Sequence, residues 1–161
     1  MDDKIIKLRD LLQTSISKLT GDFVSKRSGY DSEICILIEG FRLEETRHYD
    51  CTWGSGNLNI EFKKGTNIWL DLVRYSEVLL LNSNTDMATY TLFFIPDITK
   101  RSIKEIIGVD TRKIIEKVGL TIDEAILIRK IHEKVLRNLN AQANLTVRDV
   151  KTIADFIVQL A

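Results

Sequence analysis

The chain has 161 residues, 44% of them hydrophobic and 29% charged, with a single proline, a profile of an ordered globule long enough to bury its own core and unlike a disordered or fibrous chain. No stretch approaches the roughly 20 uninterrupted apolar residues of a membrane helix, so no membrane partner is expected. The 23 basic and 23 acidic side chains cancel, which argues against a uniformly basic nucleic-acid binder, yet residues 1–99 carry net −4 and residues 100–137 net +4, so an acidic site facing a basic surface is compatible with the total.

In chain order, the spacing of Ile5, Ile6, Leu8, Leu11, Leu12, Ile16 and Leu19 predicts an amphipathic helix over residues 3–19. The acidic opening Met1-Asp2-Asp3-Lys4 has the character of neither a signal nor a transit peptide, which gives cytoplasmic as the expected location. Residues 21–30 read as a connection, and the apolar run Ile34–Ile38 before Gly40 as a short strand, with a short helix over 33–45 as the alternative. Cys35 and Cys51 have no Cys-x-x-Cys or histidine companion and are expected as buried free thiols. Residues 49–62 alternate around a glycine-rich turn and predict a hairpin. Thr66 or Asn67 is expected to cap a helix reaching about Asn82, followed by a polar loop over Asn82–Asp86 and a buried strand over Tyr90–Ile95 stopped by Pro96. From residue 101 onward the reading is helical: Ile103–Val118 as one or two helices broken near Gly108, a helix from Thr121 to Leu139, and a last one capped by Thr146 and reaching Leu160. The expected fold class is therefore mixed α/β, in the order helix, three strands, helix, strand, with a C-terminal helical layer; residues 1–99 form the core and 100–161 the helical part of the same domain.

The hairpin carries the chemistry. If Ser55-Gly56 is its two-residue turn, Trp53 faces Leu58, Cys51 faces Ile60 and Tyr49 faces Phe62 on one apolar face; Thr52 faces Asn59, Asp50 faces Glu61 and His48 faces Lys63 on the other. Two carboxylates rooted ~4.5–5.5 Å apart repel one another, so a cation is expected between them. Magnesium suits such an oxygen site, with the Ile60 carbonyl as a further ligand, and Lys63 stands where an ammonium can hold a phosphate oxygen or help generate the attacking hydroxide. The arrangement points to metal-assisted hydrolysis of a phosphodiester.

An aspartate opening one strand and Glu61-Phe62-Lys63 on the next, between a preceding helix and a following helix and strand, resemble the PD-(D/E)xK nuclease superfamily, best known from type II restriction endonucleases. The resemblance covers residues 3–95; Tyr49 stands where the family often has proline. It implies Asp50 and Glu61 as metal-binding carboxylates, Lys63 as catalytic lysine, Mg2+ as cofactor, double-stranded DNA as substrate and products bearing a 3′ hydroxyl and a 5′ phosphate. It also implies a further carboxylate from a preceding element, for which Glu39, Glu44, Glu45 and Asp10 are candidates.

His48 is read as a surface imidazole, with an accessory contact to phosphate as the alternative, and Asp71, Arg74 and Glu77 line either the cleft or, preferably, a solvated face. The expected phosphate contacts are Lys64, Lys100, Arg101, Lys104, Arg112 and Lys113. Residues 102–139 are expected to form a helix-turn-helix or, preferably, a homodimer surface, since a small nuclease cutting both strands does so as a symmetric pair. A type II restriction endonuclease is thus the leading expectation; a junction resolvase or repair endonuclease is the alternative within the class, and a non-catalytic interaction protein on a degenerate nuclease fold the alternative outside it.

Overall fold

A computed structural model of the chain describes residues 1–80, 90–135 and 140–161; the expected loop over Asn82–Asp86 and the end of the helix at Leu139 lie outside them. The elements are α1 (Asp3–Ser15), α2 (Tyr30–Leu37), β1 (Phe41–Leu43), β2 (Cys51–Trp53), β3 (Leu58–Lys64), β4 (Asn67–Asp71), α3 (Leu72–Leu80), β5 (Tyr90–Asp97), β6 (Ser102–Asp110), α4 (Thr111–Val118), α5 (Ile122–Lys134), β7 (Gln142–Thr146), α6 (Val147–Thr152) and β8 (Phe156–Gln159). The architecture is mixed α/β. None of the described helices is long and apolar enough to cross a membrane.

Six strands form one sheet in the order β1-β2-β3-β5-β6-β8, and β4 pairs with β7 in a separate two-stranded ribbon. Only β3 and β5 run parallel, joined through α3; every other neighbouring pair is antiparallel. The sheet is buried on both faces. Against one face pack Ile5, Leu8 and Leu12 of α1 and Ile34 and Cys35 of α2, meeting Ile60, Phe62, Leu92, Phe94 and Ile106. On the other, Tyr75 and Val78 of α3, Ile114 and Ile115 of α4, and the inner face of the ribbon (Ile68, Leu70, Leu145) close over Phe93, Ile95, Ile107 and Val109.

Where helix, three strands, helix and strand were expected, the described order is two helices (α1, α2), four strands (β1–β4, the last in the separate ribbon), α3 and β5; the first strand is Phe41–Leu43, and Ile34–Ile38 falls largely in α2, partly as the helical alternative had it. Gly29, at φ 77°, precedes that helix, and acidic Asp31 and Glu33 occupy its first turn. Residues 67–71 form a strand where a helix was expected: Ile68 and Leu70 are buried, Asn67 and Trp69 exposed, a period of two that the helical spacing of Trp69, Leu72 and Val73 masked.

The expected C-terminal helical layer is the largest correction. Ile103, Ile106 and Ile107 satisfy i, i+3, i+4, yet Ser102–Asp110 is a strand between β5 and β8, with Ile103 and Ile106 in one core and Ile107 and Val109 in the other. A strand buried on both faces shows no alternation, and it opposes its neighbour with a register shift at Ile95/Pro96, so periodicity alone did not separate it from a buried helix. β6 and β8 thereby extend the core sheet, and the helices expected within residues 102–139 reduce to α4 and α5, joined by the three-residue turn Gly119-Leu120-Thr121.

Gly108 breaks nothing; it admits Phe156. A Cβ there would sit 2.3 Å from Phe156 Cζ, so Gly108→Ala is expected to destabilise the fold by about 1–3 kcal/mol through overpacking, read as a lowered urea midpoint. Thr146 does cap a helix, with Asp149 completing the capping box, but α6 ends at Thr152 and the chain re-enters the sheet as β8. Thr121 and Glu124 form the same box at the start of α5. Tyr90–Ile95 is the buried strand expected, continuing through Pro96 to Asp97.

Cys35 and Cys51 are joined as a disulfide, with Cα atoms 6.4 Å apart, and are not free thiols. They lie 16 residues apart, and only the packing of α2 on β2 brings them together.

Candidate active site at the Asp50–Glu61 hairpin

The hairpin has the register its turn implies. Cys51 pairs with Ile60, Thr52 with Asn59 and Trp53 with Leu58, and the Asn57 N–H closes the turn on the Gly54 carbonyl at 3.2 Å. Trp53 lies over Gly56, where a Cβ would come within 2.2 Å of the indole, so the turn glycine allows the aromatic ring to fold back onto its own hairpin. Cys51, Trp53, Leu58 and Ile60 are all buried.

Regular pairing ends at Cys51. Residues 46–49 turn away, with the Thr46 N–H on the Tyr49 carbonyl at 2.9 Å and the Thr46 hydroxyl accepting from the N–H groups of His48 and Tyr49. The expected Asp50–Glu61, Tyr49–Phe62 and His48–Lys63 pairs therefore do not form part of the ladder, although Asp50 and Glu61 remain close enough for each charge to act on the other. At the point of divergence, Asp50 donates its N–H to the Ile60 carbonyl at 2.9 Å and accepts the Phe62 N–H on Oδ2 at 2.7 Å. The side chain takes over a backbone bond of the adjoining strand, which holds this carboxylate at the end of β2.

Glu61 is the next outward residue of β3, and Lys63 follows two positions on. Lys63 Nζ reaches Glu61 Oε1 at 3.4 Å, both side chains less than a fifth exposed. Burial, with the Glu61 charge as the second cause, pushes the Asp50 carboxyl up to about 7. Burial raises Glu61 as well, although Lys63 and Arg74 oppose the rise. Two carboxyl groups raised together are what a buried, cation-demanding pair should show.

Asp31, which no sequence reading singled out, is the preceding acid that comes closest. From the first turn of α2 it lies within hydrogen-bonding reach of Asp50, and its charge raises both Asp50 and Glu61. It falls between the connection read over residues 21–30 and the apolar run from Ile34, where no element was assigned. The other proposed acids stand elsewhere: Glu39 in the exposed turn after α2, Glu44 paired with Arg42 at 3.3 Å, Glu45 exposed, and Asp10 on exposed α1 surface beside Arg9. The Ile60 carbonyl, engaged by Asp50, lies along the ladder, whereas Glu61 and Lys63 stand off the sheet.

On the α3 side, Glu61 and Lys63 open into a pocket lined also by His48, Asp71, Arg74, Tyr75 and Thr111. His48 is no exposed imidazole; its Nε2 meets Glu77 Oε2 at 2.9 Å, and Arg47 binds the same carboxylate through Nε at 2.7 Å and Nη2 at 2.8 Å. Burial alone would raise Glu77, but these partners hold it below the usual range. Asp71 and Arg74 thus line the cleft and not the solvated face preferred for them, while Glu77 stands beside it as the partner of His48 and Arg47. At its floor Thr91 and Thr111 share a hydrogen bond of 3.0 Å.

The basic residues expected on DNA are dispersed. Lys64 points to the opposite sheet face, its Nζ on the Val24 carbonyl at 2.8 Å and over the Tyr30 ring. Lys100 and Arg101 occupy the β5–β6 turn, with Arg101 on Asp22, and Lys104 projects from β6. Arg112 and Lys113, at the start of α4, share the site's end of the sheet but are paired with Asp110 and Asp155. The cations beside the carboxylates are instead Lys63 and Arg74.

Among the described residues, no group of three or more His, Cys, Asp or Glu side chains is arranged to hold a metal ion. The donors that fit a hard cation are the oxygens of Asp50 and Glu61, with Asp31 adjacent, a set that leaves most of the coordination to water and substrate, as magnesium prefers. No protein-family model matches the chain, and no curated protein matches it either.

Proposed function

We propose that the chain is a magnesium-dependent endodeoxyribonuclease of the PD-(D/E)xK type, acting on double-stranded DNA, in the cytoplasm, as a type II restriction endonuclease. One observation carries the reading: a buried carboxylate pair with raised proton affinity, Asp50 just before β2 and Glu61 on the adjacent β3, with a lysine 3.4 Å from one member. A structural hairpin gains nothing from such a pair, because each buried charge costs solvation and the two repel. The strand order around it supports the same reading, with an antiparallel β1-β2-β3 meander, a helix and a parallel β5.

Asp50 and Glu61 would hold the ion. When bound, magnesium supplies Lewis-acid polarisation of the phosphoryl oxygen and makes water a stronger acid. Lys63 holds a non-bridging phosphate oxygen and stabilises the charge that grows on it, and Arg74 adds a second cation from α3. Glu77 and Arg47 fix the His48 ring at the pocket wall. The test is incubation of long duplex DNA with the purified chain, with magnesium or with EDTA: discrete magnesium-dependent fragments with 5′ phosphates support the reading, and intact DNA in both overturns it.

A homodimer is part of the proposal. α5 buries only Ala125 and leaves Ile122 59% and Leu127 57% exposed, with Ile126, Ile131 and Val135 also outward. Apolar surface of this kind on one helix marks an interaction face. Asp123 and Glu124 lie at its start and Lys130 and Lys134 towards its end, so two copies crossing antiparallel would set Leu127 against Ile131 of the second copy and Glu124 against Lys134. Leu127→Glu with Ile131→Glu is expected to weaken self-association at least ~100-fold in sedimentation velocity, through burial of unpaired charge; a wild-type chain that stays monomeric at tens of micromolar overturns the assignment.

A further inference from the structure

The β4–β7 ribbon lies beside the pocket, sharing Asp71 with it, yet takes no part in the chemistry. Its inner face is core. Its outer face carries Asn67, Trp69, Gln142, Asn144 and Thr146, all exposed, with Trp69 53% accessible and opposite Asn144. A large aromatic ring set among amides is surplus to the needs of a solvated ribbon.

Two of these amides have a determined orientation. Asn144 Nδ2 donates to the Ile68 carbonyl at 3.2 Å and to Asn67 Oδ1 at 2.6 Å. A backbone carbonyl only accepts, so the atom of Asn144 facing it must be nitrogen, and the atom of Asn67 facing that nitrogen must be oxygen. The groups remaining for a ligand are one donor, Asn67 Nδ2, and one acceptor, Asn144 Oδ1.

We infer that the outer face of the β4–β7 ribbon reads bases in the DNA major groove, with the Asn67–Asn144 amide pair meeting the edge of an adenine. This rests on the duplex-DNA reading above. Adenine presents an acceptor, N7, beside a donor, the N6 amino group, and the amide pair offers the complement; guanine presents two acceptors, N7 and O6, and would set O6 against Asn144 Oδ1. A two-stranded ribbon fits the ~12 Å width of the major groove. Asn67 to Asp71 spans four residue steps, ~13–14 Å at strand rise, about four base steps of duplex. Trp69 supplies an apolar surface for a thymine methyl group. Cations bracket the ribbon where phosphates would pass: Arg74 beyond Asp71, and Arg148 with Lys117 near Asp149 beyond Thr146.

The experiment is cleavage of a randomised duplex library by the full chain in magnesium, with the fragment ends sequenced, for the wild type, Asn67→Ala and Asn67→Asp. Asn67→Asp keeps the acceptor for Asn144 and replaces the outward donor with an anionic acceptor, which weakens DNA binding at every sequence but leaves preferences at other positions in place, so it guards against a ribbon that loosens in the alanine variant. The wild type is expected to prefer A·T at one position of its site, and both variants to lose that preference by ~10–100-fold while preferences elsewhere persist. A wild type with site preference that both variants retain unchanged overturns this inference and leaves the nuclease reading standing; an unselective wild-type nuclease does the same. A wild type that cuts no duplex overturns both. Sedimentation of Trp69→Ala adds one further outcome: loss of a dimer there would assign the face to a second copy of the chain and overturn the base-reading assignment.

Discussion

Glu61→Gln is expected to abolish magnesium-dependent cleavage, by on the order of 10³-fold or more, while leaving the chain folded. Glutamine is nearly isosteric and keeps an oxygen for Lys63 Nζ, now 3.4 Å away, but it removes a negative charge that would hold the ion. A factor of 10³ is about 4 kcal/mol of transition-state stabilisation, within what loss of a metal ligand or a charge-stabilising group removes. Lys63→Ala should cost a comparable factor through a different route, with magnesium still binding. Glu39→Gln, in the exposed turn after α2, should cut as the wild type does. Fragment yield from a plasmid substrate, with unfolding curves for each variant, checks all three. Full activity in Glu61→Gln would show that the facing carboxylates do no chemistry.

The second expected result concerns Asp50 and pH. Its carboxyl ionises near 7 in the fold and near 3.9 in an unfolded chain. Between those values the folded state retains a proton that the unfolded state has released, so stability is lost as pH rises through about 4 to 7. The loss attributable to this group is on the order of 2–4 kcal/mol. Asparagine has no such titration and still offers an oxygen to the Phe62 N–H, the 2.7 Å bond that positions the side chain. Asp50→Asn should therefore match the wild type near pH 4, exceed it progressively to about pH 7, and hold a constant advantage above pH 8. Millimolar magnesium should reverse the order: at pH 8 it stabilises the wild type by about 1–3 kcal/mol through binding linkage, less at pH 6 where protons compete, and leaves the variant unchanged. Urea melts at four pH values with and without magnesium read both effects. A variant less stable than the wild type at pH 8 without metal would show Asp50 to be structural.

These expectations depend on contacts that were readable to different depths. The hairpin was fully legible from Cys51 to Ile60, because a two-residue turn and a period of two leave one register with an unbroken apolar face. From that register Asp50, Glu61 and Lys63 followed as neighbours. The reading overshot by three residues where Thr46 draws the chain into a turn, so His48 was placed opposite Lys63 when it lies against Glu77. Asp31 escaped, and Arg74 was left between cleft and solvated face, for a different reason. Each comes from a helix whose distance from the hairpin depends on how it packs, and neither has a local pattern that reports on packing.

Local chemistry in the sequence determined the amphipathic α1, the buried β5, the capping boxes at Thr121 and Thr146, and the hairpin register from Cys51 to Ile60. These depend on spacing, turn residues and caps, which act over a few residues. Tertiary structure alone decided that Ser102–Asp110 joins the sheet, since a run of buried β-branched residues satisfies both helical and strand burial until a neighbouring strand supplies its hydrogen bonds. The same is true of Phe156–Gln159, of the β4–β7 ribbon with its oriented amides, and of the Cys35–Cys51 link. Each joins residues far apart in the chain, and the free energy that selects such pairings comes from the partner rather than from the segment itself.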